Sequence, residues 1–105
     1  MTPGYAFHPD AEADLTEIWE YIAADDVNAA DRLIEEIEDG LNKIARFPNL
    51  GRRRPDLTSR PLRFLRVRDY LIAYAPGRRP LWIIAIIHGV RSPRTMAAIL
   101  RGRED

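Results

Sequence analysis

The chain has no cysteine, so no disulfide can staple it, which fits a reducing compartment. No apolar stretch reaches the roughly 20 residues that span a bilayer, and the expectation is a soluble, cytoplasmic protein with no membrane contact. Met1-Thr2-Pro3-Gly4 lacks the basic start and apolar run of a signal peptide. There is no Gly-rich phosphate loop, no nucleophile elbow and no metal-spaced cluster of His, Cys or carboxylates, so neither a metal nor a cofactor is expected. Lysine is nearly missing as well: Lys43 is the single one, and every other basic residue is arginine. With two histidines in the chain, His8 and His88, the candidates for proton transfer near neutral pH are few.

What is present is a chain of 105 residues, the size of one domain, 1–105, with enough length for one core. The net charge of zero hides a split. Residues 1–50 carry 12 Asp/Glu against three Lys/Arg, a balance of −9, and residues 51–105 carry four against 13, a balance of +9. An acidic face and a basic face with different partners are expected. Arginine suits bidentate binding of phosphate or carboxylate. A GC-rich genome would equally favour arginine over lysine, but it would not segregate the charges.

The longest apolar run is Leu81-Trp82-Ile83-Ile84-Ala85-Ile86-Ile87. Seven such residues, rich in β-branched types, read as a strand buried on both faces, in the middle of a sheet. It exits into His88-Gly89-Val90-Arg91-Ser92, where the polar chemistry is concentrated. Earlier in the chain, Tyr5-Ala6-Phe7 reads as a short first strand. Pro9 suits the first turn of a helix, and Asp10, Glu12 and Asp14 complement its dipole. Leu15, Ile18, Trp19 and Ile22 form its apolar stripe, with Trp19 assigned to the core and Tyr21 off the stripe. Asp26 can cap a second helix. That helix carries Ala30, Leu33, Ile34, Ile37, Leu41 and Ile44 on one side, Glu35, Glu36, Glu38 and Asp39 on the other, and Gly40 where a neighbour approaches. Phe47-Pro48 stops it.

Asn49 to Arg60 is a loop containing Arg52-Arg53-Arg54. Leu62 to Val67 reads as a strand of mixed phase, reconciled either by a bulge or by burial on both faces. Arg68-Asp69 is a two-residue turn, Tyr70 to Ala75 a strand, and Pro76 to Pro80 another turn. Ser92 and Pro93 begin a last short helix with Met96, Ile99 and Leu100 on one side. Arg101 to Asp105 reads as a frayed polar tail. The order β-α-α-β-β-β-α predicts an α+β fold, a two-helix hairpin packed on an antiparallel sheet.

These segments in this order resemble the ParE/RelE superfamily of type II toxin–antitoxin toxins. The resemblance is carried by His8-Pro9, Ala13-Asp14-Leu15, Ile18-Trp19 and Tyr21-Ile22, by Phe47-Pro48-Asn49-Leu50-Gly51-Arg52, by Leu62-Arg63, by Tyr70 to Tyr74, and by the last strand running into His88-Gly89-Val90-Arg91. The Phe-Pro…Gly-Arg segment, Tyr74-Ala75 and the His-Gly-Val-Arg-Ser exit are more similar to ParE. Resemblance to ParE implies a poison of DNA gyrase with no catalytic residue of its own. Resemblance to RelE implies a ribosome-dependent endoribonuclease acting on mRNA. Either implies neutralisation by a cognate antitoxin, with operator DNA bound only through that antitoxin.

A ribonuclease of this kind needs cations around the scissile phosphate, a group to move the 2′-hydroxyl proton, and a surface to stack a splayed base. His88, Arg91 and Arg63 are the candidates for that set. The RelE pattern that the chain resembles has a C-terminal tyrosine or an extra base near its last strand; from Leu81 onward Trp82 is the one aromatic here, and that departure argues against cleavage. The competing reading of His88 is a strand-end histidine bonded to backbone or a carboxylate. Arg91 reads either as a recognition residue or as a bridge from the sheet to an acidic residue of the helices. Candidates for contact with a target or partner are Arg91, Arg63, Arg66, Arg52, Arg53 and Tyr21, with plain solvation as the alternative for the arginines. A third possibility is a non-toxic module that binds nucleic acid or protein through its basic sheet.

Overall fold

A computed structural model describes residues 4–103. Met1 to Pro3 and Glu104-Asp105, and with them most of the N-terminal segment and the end of the polar tail, lie outside the described residues. The elements are β1 (Tyr5–Phe7), α1 (Pro9–Ala23), α2 (Val27–Arg46), β2 (Arg63–Val67), β3 (Tyr70–Ala75), β4 (Leu81–His88) and α3 (Pro93–Arg101). The sheet order is β1-β4-β3-β2. The meander β2-β3-β4 is antiparallel, as expected, and β1 adds a parallel pair with β4 over Tyr5↔Leu81 to Phe7↔Ile83. The sheet as a whole is therefore mixed.

Two cores sandwich this sheet. On one face α1 and α2 pack Leu33, Ile37, Leu41 and Ile44 against Ile72, Tyr74, Leu81, Ile83 and Ile86. On the other, α3 and the long loop bring Met96, Leu100, Leu57 and Leu62 onto Phe64, Ala73, Ile84, Ala85 and Ile87. Burial on both faces explains why β4 is apolar throughout. It also settles the mixed phase of β2: Phe64 belongs to the α3 side, while Leu65 and Val67 pack toward the helical hairpin. The bulge lies elsewhere. Ala73 pairs with Ala85 and Tyr74 with Ile83, leaving Ile84 as the extra residue of β4. That insertion puts the consecutive Ile84 and Ala85 on the same face.

Each helix start has a local cause. Asp26 Oδ1 accepts from Ala29 N at 3.0 Å at the head of α2, and Ser92 Oγ accepts from Thr95 N at 3.1 Å at the head of α3. The cap of α1 is His8, whose Nδ1 accepts from Asp10 N at 3.0 Å. At Gly40 a Cβ would stand 2.9 Å from Val67 Cγ2, so α2 lies close on β2 at that turn. The hairpin between β2 and β3 turns at Arg68, which has φ 52°. The Arg68 guanidinium also forms an ion pair with Glu36 of α2.

Three expectations need correcting. Trp19 is not core: it is 37% exposed, and its Nε1 donates to Asp31 Oδ1 at 2.9 Å. Leu15, Ile18 and Ile22 of the stripe pack against the core, and the indole sits at the stripe's margin beside α2. Asp14 does not serve the helix dipole; its carboxylate bonds to β4. The polar tail is not frayed at Arg103, which forms the other half of that contact.

Candidate functional site

The exit of β4 is a tight turn built by the backbone. Gly89 N donates to Asp69 O at 2.6 Å, and Arg91 N to His88 O at 3.1 Å. A Cβ at Gly89 would meet Asp69 O at 3.0 Å, so the close approach of the two turns favours glycine. The turn delivers Arg91 to the rim of a groove of about 580 Å³. Ile18 and Tyr21 of α1, His88 and Arg91 of the exit, and Ile99 and Arg103 near the chain end line it. Tyr21 is 81% exposed, in line with its position off the apolar stripe. Among the described residues no side-chain partner binds the Arg91 guanidinium.

His88 lies across Tyr70, ring centroids 4.9 Å apart and planes at 70°. Its Nδ1 accepts from Val90 N at 3.2 Å, so one ring nitrogen is committed to the turn. Burial pushes the Tyr70 phenol above its ordinary pKa, and the neighbouring Asp69 adds to the rise. The bridge from the sheet to an acidic helix residue, considered for Arg91, exists, but Arg103 makes it. The Arg103 Nη2 donates to Asp14 Oδ1 at 2.8 Å, and Nη1 bonds to Asp14 Oδ2. Hydrogen bonding to this carboxylate pushes the Arg103 pKa up, against the opposing effect of burial. Sequence reasoning took Asp14 for a dipole partner and Arg103 for part of a frayed tail and missed their pairing, because no periodic or motif signal links positions this far apart.

Arg63 is not in this groove. It pairs with Tyr74, whereas His88 pairs with Tyr70, so the two stand four residues apart along the sheet, about 13 Å at the usual strand rise. The Arg63 Nη1 donates to Gly51 O at 2.8 Å, tying down the loop. Beside it, Tyr74 Oη accepts from Gly51 N at 2.8 Å and donates to Pro48 O at 2.7 Å. This pair of bonds gives the Phe47-to-Arg52 segment its shape.

The remaining arginines form a second surface. Arg52, Arg54 and Arg66 border a groove of about 610 Å³ over Phe64, Leu65 and Leu71. Arg52 exchanges backbone bonds with Phe64 at 2.9 and 2.7 Å, extending the sheet by one bridge. Its side chain and that of Arg53 are exposed. Arg54 is held by Asp56 through two bonds of 2.9 and 2.8 Å, and Arg66 Nε by Arg68 O at 2.9 Å. Among the described residues, no group of three or more His, Cys, Asp or Glu could hold a metal ion. Among the described residues no helix is long and apolar enough to cross a membrane.

A helical hairpin packed on a four-stranded mixed sheet is the α+β fold expected of a small toxin of the RelE/ParE kind. The family described as "ParE toxin of type II toxin-antitoxin system, parDE" matches residues 5–93, from β1 to the first residue of α3. The chain belongs to that family, and membership implies a cognate antitoxin as partner. No curated protein matches it.

Proposed function

We propose that this toxin acts by binding rather than by catalysis, as an inhibitor of DNA gyrase, and that its antitoxin keeps it inactive in the cytoplasm. One observation supports this reading above the others. The residues a ribonuclease would need do not converge: His88 and Arg91 share one groove, while Arg63 is some four residues away along the sheet and committed to the loop. His88 also has one nitrogen engaged by Val90 N, and among the described residues no carboxylate orients the ring. The arginines and Tyr21 then serve contact: Arg91 and Tyr21 on one surface, Arg52, Arg53 and Arg66 on the other. The acidic hairpin and basic loop layer favour an antitoxin whose acidic tail covers the arginines; DNA at the operator is bound through that antitoxin.

Purified toxin should inhibit supercoiling by the cognate gyrase or trap cleaved DNA. A clean absence of both effects at stoichiometric excess removes the proposal. Ribosome-dependent cleavage of mRNA is the second reading, because an imidazole, a guanidinium with no side-chain partner among the described residues and an exposed phenol able to stack a base line the same groove. It requires codon-phased cuts in a translating extract that disappear in His88→Ala and Arg91→Ala.

A further inference from the structure

The edge of β4 is covered by two different devices. Over Leu81 to Ile83 it is paired with β1, and the last bond on this side is His8 N to Ile83 O at 2.8 Å. There the chain turns into α1, and among the described residues no strand lies beside the edge from Ile84 onward. Side chains take over. Asp14 Oδ2 accepts from Ile86 N at 3.0 Å, and Arg103 Nη1 donates to Ile84 O at 3.2 Å. One acceptor and one donor meet one N–H and one C=O, which is what a neighbouring strand would present.

The two side chains are fixed to each other by their forked ion pair, and Arg103 Nε lies 4.0 Å from Asp10 Oδ2. Both are well buried, with Arg103 at 14% and Asp14 at 17% side-chain exposure. They come from opposite ends of the chain, 89 positions apart. The β1 pairing ends at Phe7↔Ile83, and the bulge of the opposite, β3–β4 ladder falls at the next residue, Ile84.

We propose that Asp14 and Arg103 form a side-chain surrogate for a missing strand: a strap that closes the β4 edge to pairing with a second copy of that edge and fastens the end of α3 across it. An open strand edge is a template for another chain, and this one is strongly apolar on both faces. The strap extends the functional fold past Pro93, where the family match ends.

Amide hydrogen exchange on the full chain reads the strap directly. In the native chain the Ile86 amide should be as protected as amides of the β3–β4 ladder. Asp14→Leu removes the acceptor and should speed Ile86 exchange by about tenfold or more while leaving the His8 amide slow. Arg103→Gln should speed it in the same way, through loss of the partner that orients the carboxylate, and gives the reading if Asp14→Leu does not fold. Asp14→Asn keeps an acceptor oxygen and should lie between native and Leu. Light scattering should show the mass of folded Arg103→Gln rising with concentration above that of the native chain. Unchanged Ile86 exchange in a folded variant overturns the surrogate. Fast exchange with the mass still equal to the native chain's overturns its role in guarding against self-pairing.

Discussion

The Tyr74 phenol fixes the loop that follows α2 by accepting from Gly51 N and donating to Pro48 O. Tyr74→Phe leaves both loop groups without their partner and should destabilise the fold by about 1–3 kcal/mol, measured by urea unfolding. A Cβ at Gly51 would lie 2.6 Å from the same oxygen, so Gly51→Ala should displace the loop and shift the Tyr74 ring signals. Burial holds the Tyr74 pKa above the ordinary 10.0. A group whose folded pKa is raised contributes stability that is complete below its unfolded value and is lost as pH rises through the folded one. Stability should therefore be level from pH 8 to near 10 and fall above it, with a smaller fall in Tyr74→Phe. Little of this was legible in the sequence. Tyr74 stands out only as part of a strand, and Arg63, a candidate for the scissile phosphate or for target contact with solvation as the alternative, lies on a strand whose mixed phase does not fix which way it faces. Trp19 was misplaced because a helical stripe does not say where its margin meets solvent.

At the scale of elements, the approach of α2 to β2 sets the spacing of the hairpin above the sheet. Alanine is the better helix former by roughly 1 kcal/mol, yet Gly40→Ala should destabilise, because its Cβ would stand 2.9 Å from Val67 Cγ2. A double-mutant cycle with Val67→Ala should give a favourable coupling of about 0.5 kcal/mol or more; strict additivity would show that the contact relaxes freely. Ser92→Ala should cost about 1 kcal/mol through loss of the α3 cap. The elements themselves were legible, since seven apolar residues, two amphipathic stripes and the caps Asp26 and Ser92 are local signals. The parallel pairing of β1 was not, because three residues carry no information on direction. Nor was the Ile84 bulge, which a wholly apolar strand conceals.

Over the whole molecule, the charge split of the sequence becomes a layered arrangement. The acidic α1–α2 hairpin lies on one face of the sheet, and the arginine-rich loop and α3 lie on the other. Association with an acidic antitoxin tail should therefore slow as salt screens the attraction, with the association rate more affected than dissociation. Arg52→Glu with Arg53→Glu should weaken the complex without changing the melting temperature of the toxin, since both side chains are exposed. The overall architecture was readable from the order of elements. The grouping of candidate residues into two separate surfaces was not, because it depends on strand register, which places Arg63 beside Tyr74 and His88 beside Tyr70.

Binding without catalysis is tested most directly by gyrase supercoiling in the presence of native toxin and of His88→Ala. Inhibition by both proteins, relieved by the antitoxin, is expected. Supercoiling unaffected by either, together with codon-phased mRNA cuts by the native toxin that His88→Ala abolishes, would contradict it.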